Sequence, residues 1–310
     1  MAKLIVLENR EWENRKNQFK YCEALEEGNI LFFPSTPFSF PQKEIDFLLS
    51  QRQGASKSRK NIAYKPQIDR ITNHDAKDPA SVQRLKEILR SYSQRATDFL
   101  VSVLPPYAKG WKLDFASFRP FQEKGRDLRL RARNDLLHVD AFPTRPLHGG
   151  RILRFFTNIN PTENRSWMTS KPFEELAREF GGNGVSFPSS AGYSLKERLE
   201  RKMKFVCRSL GMKVPLRSPY DDFMLRMHNF LKENSQFQEE CPKDHWEFPP
   251  NSCWAVFTDQ VSHAALAGQY ALEQTFIVSQ KSLLCPDRSP LRVLERLSGG
   301  NMVDPEFSRI

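Results

Sequence analysis

The chain is poor in cysteine: five in 310 residues, at positions 22, 207, 241, 253 and 285, with no CxxC spacing. An odd, scattered set excludes a disulfide framework and reads as buried thiols of a reducing compartment. No run approaches 18 consecutive apolar residues, which excludes a transmembrane helix. The opening stretch, MAKLIVLENREWENRK, places acidic residues directly after a very short apolar run and does not read as a signal peptide. A soluble, cytoplasmic protein is therefore expected. Acidic residues are also in the minority, 37 against 47 Lys and Arg, giving a formal charge of +10. Such a surplus favours an anionic partner: nucleic acid, an acidic membrane surface or a phosphorylated substrate. The basic segments lack the interleaved aromatics that single strands need for base stacking, which counts against nucleic acid. What remains is an ordinary globular composition, 39% apolar and 27% charged, with 24 Phe to build an aromatic core.

Along the chain, residues 3–7 form a short strand, residues 22–27 a helix closed by Gly28, and residues 29–33 a buried strand. A short helix follows over 41–49, opened by Pro41. Residues 51–70 are polar and basic without a clear period, and read as a solvated loop. Asp78 and Pro79 start the longest helix, which keeps a 3.6-residue apolar stripe from Leu85 to Val103 and stops at Pro105–Pro106. From Trp111 the period falls to two. Residues 127–134 alternate Arg with apolar or small residues and run as a strand into His138-Val139-Asp140, and residues 151–160 form the next strand. Residues 162–245 break the rhythm and read as a helical insertion. It holds helices over 171–180, over 194–211 and from Ser218 to about Lys232, the second carrying six basic side chains opposite an apolar stripe. Strands return over 246–257 and 268–278, and residues 291–297 form a last short helix.

The chemistry-bearing pattern is His138-x-Asp140 with a distal His263. In a strand, residues two apart share a face, so His138 and Asp140 project together. Two histidines and one carboxylate make the facial triad that holds three positions of an octahedral Fe(II) and leaves three open. His74, His228 and His245 have no partner spacing, and the Arg129, Arg131, Arg133 ladder suits either bracing or anion binding.

The segments RNDLLHVDAFPTRPLHGGRILRFFTNINP and PPNSCWAVFTDQVSHAALAGQYALEQTF resemble the Kdo hydroxylase family, Kdo being 3-deoxy-D-manno-oct-2-ulosonic acid, within the Fe(II)/2-oxoglutarate oxygenases. The resemblance extends over most of the chain, including the GNILFFP strand. It implies an α+β fold with a double-stranded β-helix (jelly-roll) core. One oxygenase domain spans 1–310: a helical support over 1–110, core strands over 111–161 and 246–280, and the insertion over 162–245. It also implies Fe(II), 2-oxoglutarate and O2 as cofactors. The reaction would be hydroxylation at the 3-position of Kdo linked to lipid A or its precursors, with succinate and CO2 as by-products and His138, Asp140 and His263 as iron ligands.

One departure matters. Most such oxygenases carry Arg or Lys on the final strand, about ten residues after the distal His, to grip the far carboxylate of 2-oxoglutarate. Here that stretch offers only Gln269, Tyr270 and Gln274. A buried carboxylate needs a cation, and Arg154, on the strand after the H-x-D, is the expected donor, with Arg151 on the opposite face. Gln274 and Asn158 complete the co-substrate candidates. Arg133, Asn134 and His148, close to the metal segment, are the substrate candidates. The basic 194–211 helix is expected to meet an anionic inner-membrane surface. Two other readings are a related oxygenase acting on nucleic acid or another anionic substrate, and a non-catalytic basic module, against which the intact triad argues.

Overall fold

The computed structural model describes residues 1–8, 11–51, 61–187, 203, 214 and 216–303. Two β-sheets face each other, with helices on the outside. The larger takes β1 (Leu4–Val6), β2 (Ile30–Phe33), β3 (Ile62–Lys65), β4 (Arg70–Thr72), β5 (Trp111–Arg119), β6 (Arg151–Asn158), β9 (Cys253–Phe257) and β11 (Ala271–Val278), in the order β1-β2-β9-β6-β11-β5-β3-β4. Among the described residues, only the β1–β2 pair of this sheet is parallel. The smaller sheet has the order β10-β7-β8, from β7 (Arg165–Pro172), β8 (Asp244–Phe248) and β10 (Val261–Ala267). Between the sheets lies an aromatic core in which Trp254 stacks on Phe248 at 4.0 Å and on Phe156 at 5.1 Å. The fold is α+β around a jelly-roll core, as expected.

The alternation of β6 explains its two arginines. Leu153 and Phe155 turn outward, under the long helix α3 (Pro79–Val103), in a core shared with α1 (Arg15–Glu26) and α2 (Gln42–Ser50). Arg151 is on that same face and fully buried. Its Nε donates to Asp259 at 2.7 Å, its Nη2 donates to Gln260 at 2.8 Å, and its guanidinium lies over the Phe257 ring. Arg154 and Phe156 turn inward. Helix α3 starts as its sequence demands: Asp78 accepts from the amides of Ala80 and Ser81, and Pro79 occupies the first turn. Such a cap contributes about 1 kcal/mol, and each large apolar side chain of its buried stripe about 1.5–3 kcal/mol.

Four expectations are corrected. The described part of the 51–70 loop, residues 61–70, contains β3, and β4 begins at its end. Ile62, Ala63 and Tyr64 are all buried against the sheet, so no alternation marks them. Residues 127–134 are not a strand but irregular chain around a 3-10 turn at Leu130–Ala132. The insertion over 162–245 opens with β7 and ends with the first residues of β8, both in the smaller sheet. β7 is buried on both faces over most of its length, which erases its period. The helix expected over 171–180 begins at Phe173 as α5 (Phe173–Phe180), because Lys171 and Pro172 complete β7. Between β5 and α3 sits α4 (Pro105–Ala108), and α6 (Pro219–Glu233), α7 (Ser235–Glu240) and α8 (Pro290–Ser298) follow α5. The basic 194–211 helix lies outside the described residues apart from Met203. Among the described residues, no helix is long and apolar enough to cross a membrane.

Candidate active site

His138 meets His263 of β10 in an isolated antiparallel bridge, each amide donating to the other's carbonyl at 3.1 and 2.9 Å. Four residues upstream, Asn134 O accepts from Ala265 N at 2.8 Å. Two residues on β10 thus span four on the H-x-D segment, and the surplus bulges out. Gln238 of α7 clamps the bulge, its Oε1 accepting from Leu137 N and its Nε2 donating to Leu137 O, both at 2.9 Å. The H-x-D is a bulged edge segment, not a regular strand, which is how it aims two side chains at one point.

The imidazoles are held in one tautomer. His138 Nδ1 donates to Leu136 O at 2.7 Å, and His263 Nδ1 to Val261 O at 3.1 Å. A carbonyl only accepts, so each ring keeps its proton on Nδ1 and presents Nε2 as a lone pair. Burial, aided by the Lys232 charge, holds the His138 pKa well below the ordinary value, and burial likewise lowers that of His263. For Asp140, burial would raise the pKa, but the Arg154 charge overrides it and keeps the carboxylate ionised. His138 Nε2 is 3.5 Å from Asp140 Oδ1. Cis donors at about 2.1 Å from an octahedral ion sit roughly 3 Å apart, so this pair fits a divalent metal with little movement. Trp167 stacks on the His263 ring at 5.4 Å and fixes its plane.

These side chains line a cavity of about 580 Å³. A chain of alternating charge runs from it through the inner face of the larger sheet. Arg154 Nη2 bonds Asp140 Oδ2 at 2.8 Å, and its Nη1 bonds Glu273. Glu273 also bonds Arg119 at 2.6 Å. Glu123 follows, 3.5 Å from Arg119 and 3.1 Å from Arg165. With Arg126 3.6 Å from Glu123, four guanidiniums meet three carboxylates, a surplus of positive charge that an anionic ligand would neutralise. Four lining residues carry a buried polar atom without a hydrogen-bond partner: Asn61 Oδ1, Asn134 Nδ2, Arg154 Nε and Trp167 Nε1. Orphans of this kind, gathered round one cavity, mark it as a ligand site.

The sequence profile of the 3-deoxy-D-manno-oct-2-ulosonic acid (Kdo) hydroxylase family matches residues 8–301. The chain belongs to the Kdo hydroxylase family. No curated protein matches it. Among solved structures, the Kdo hydroxylase KdoO, a non-heme Fe(II) α-ketoglutarate-dependent dioxygenase, in complex with α-ketoglutarate and Fe(III), is 32% identical with a TM-score of 0.82, over 97% of this chain and 98% of that one. KdoO in complex with cobalt(II) is 33% identical with a TM-score of 0.83, over the same shares. KdoO in complex with succinate and Fe(III) is 32% identical with a TM-score of 0.82, again over 97% and 98%.

In this Kdo hydroxylase the cavity takes up His138, Asp140, His263, Arg154 and Asn134 from the sequence candidates. It does not take up the other four. Gln274 is on the outer face of β11, its Nε2 donating to Asp114 O and Thr275 O. Asn158 is consumed by the turn after β6, donating to Glu163 O and Phe248 O and accepting from Asn160 N. His148, at φ 49°, is held with Leu147 by Asp221, which also closes the Ser218 capping box of α6, and it faces a different cavity. Arg133 pairs with Asp135, while its neighbour Arg131 lines the cavity instead.

Sequence reasoning missed one wall entirely. Leu225, His228, Asn229 and Lys232 face the cavity from α6 at i, i+3, i+4 and i+7, beside the buried Phe223, Met224, Met227 and Leu231. A second periodic face next to the apolar one was the available signal. Arg119 and Arg165 were also missed, because a strand-end arginine looks the same in sequence whether it faces solvent or a cavity.

Proposed function

We propose that this chain hydroxylates the 3-position of Kdo in the lipid A-linked inner core of lipopolysaccharide, consuming 2-oxoglutarate and O2 and releasing succinate and CO2. The observation that carries this is the convergence of two neutral, Nδ1-anchored imidazoles and an ionised carboxylate on a cavity rich in buried cations. His138, Asp140 and His263 would hold Fe(II), a donor set that suits this ion and leaves half its octahedron open. Oxidative decarboxylation of the oxoacid, with one oxygen delivered into a C–H bond and the other into succinate, is the chemistry Fe(II) supplies when bound.

The chain's own residues do the rest. The two backbone carbonyls keep both Nε2 atoms aimed at the metal position. Arg154 sits one ion pair away from that position and takes the far carboxylate of 2-oxoglutarate, exchanging the Asp140 contact for a charge-assisted, fork-like one. Phe156 and Trp167 form a dry wall beside His263. Asn134, Asn61 and the Trp167 Nε1 offer one acceptor and two donors, a pattern suited to sugar hydroxyls. Lys232 and Arg131 meet the sugar carboxylate and neighbouring phosphates. The net charge of +10 supports a reversible contact with the anionic membrane surface that displays the substrate, each nearby basic residue adding about 1 kcal/mol.

The test is incubation with Kdo-bearing lipid A, Fe(II), 2-oxoglutarate and O2, followed by mass spectrometry of the released sugar. One added oxygen on Kdo with matching succinate is expected. Succinate release that substrate never stimulates, with unmodified Kdo, would overturn the substrate assignment. Sedimentation with anionic vesicles at low and high salt tests the surface contact, which salt should weaken.

A further inference from the structure

The tightest group of metal-competent side chains among the described residues is not the one read from the sequence. It is His138, Asp140 and His228, whose donor atoms all lie within 4.8 Å of one another. His228 comes from α6, two-thirds of the way along a 15-residue helix fixed at its start by a capping box and Pro219. Its Nδ1 donates to Val139 O at 2.7 Å, the carbonyl between the two H-x-D ligands. Its ring stands edge-on to His138 at 4.9 Å, a spacing that nearly matches the 4.8 Å between His138 and His263. His228 thus repeats one feature of His138 and His263: an imidazole at the cavity whose Nδ1 is committed to a backbone carbonyl, which puts the ring's lone pair on Nε2.

We propose that His228 is a fourth protein ligand of the metal in the co-substrate-free enzyme, and that it gives up this position when 2-oxoglutarate binds. The inference rests on the metal site proposed above. Octahedral arithmetic requires the release. Three protein ligands leave three positions, which the two-oxygen chelate and the third reactant fill together. A fourth protein ligand leaves two, enough for the chelate but not for the third reactant as well, so oxygen finds a position beside the oxoacid only once His228 has left. Because α6 also presents Asn229 and Lys232 to the cavity, the same displacement would move the substrate-facing wall.

The test uses the full chain loaded with Co(II) alone, read by proton NMR. Each Co(II)-bound histidine with a protonated Nδ1 gives one solvent-exchangeable, strongly shifted signal. Three such signals are expected for the wild type, falling to two when 2-oxoglutarate is added without oxygen. His228→Gln and His228→Ala should show two from the start, and should bind Co(II) about tenfold or more weakly without 2-oxoglutarate but equally well with it. Two signals in the wild type, or a count unchanged by His228→Gln, would reduce His228 to a structural clamp on Val139 and overturn the proposal while leaving the metal site standing. No shifted signals at all would overturn the metal site as well.

Discussion

Arg154 bridges two carboxylates with different tasks, Asp140 at the proposed metal position, 2.8 Å away, and Glu273 of β11. This one guanidinium joins the H-x-D segment to the larger sheet, and the outer-face Arg151, three residues earlier, cannot replace it.

The two arginines therefore predict opposite phenotypes. Arg154→Ala should raise the 2-oxoglutarate KM by the equivalent of about 2–5 kcal/mol, the range for losing one partner of a buried charge pair. Arg151→Ala should leave that KM near normal and destabilise the fold by about 3–5 kcal/mol, since Asp259 would be buried without its cation. Steady-state kinetics and denaturant unfolding separate the two. Equal effects of both variants on the KM would remove Arg154 from the co-substrate site.

Acid should weaken the charge chain before it touches the apolar cores. Burial alone would raise the pKa of Glu123 and of Glu273, but Arg165 and Arg119 hold the first below its usual value and Arg154 and Arg119 the second. A carboxyl depressed in the folded state stabilises above its unfolded pKa of about 4.3, and that stability is lost as pH falls through the folded value. The melting temperature should thus drop steeply below about pH 4.3. Glu123→Gln should flatten that drop and lower stability at neutral pH by about 3 kcal/mol. A Tm as acid-sensitive in the variant as in the wild type would contradict the pairing.

The thiols give an independent check on the core. Burial pushes Cys22 and Cys253 up to about 12, where almost no thiolate exists near neutral pH. Both should resist a thiol reagent at pH 8 in the native protein and react once it unfolds. Rapid native labelling of Cys253, which lies beside Thr157 and Thr36, would contradict its place under the sheet.

How much was legible depended on period and on chemistry. The α3 stripe and the arginine alternation on β6 could be read because one face is buried and the other differs from it. β3 and β7 could not, because strands buried on both faces lose their alternation. The H-x-D pair was readable as chemistry, but its geometry was not. It rests on a two-residue bulge clamped by Gln238, a partner 101 residues away. The place of Arg154 in the cavity could be reached by asking where a cation for the oxoacid would be needed. His228 could not, since nothing in the sequence of α6 tells that its polar face meets the H-x-D segment.

Turnover by the ligand variants tests the central claim most directly. Succinate formation from 2-oxoglutarate should be measured in the wild type, Asp140→Ala and His263→Ala, with bound Fe(II) counted and folding checked by circular dichroism. The wild type should hold one Fe(II) per chain and turn over. Both variants should stay folded and form no succinate above the protein-free rate. Wild-type turnover in folded Asp140→Ala would contradict the assignment of this cavity as the site of oxidation.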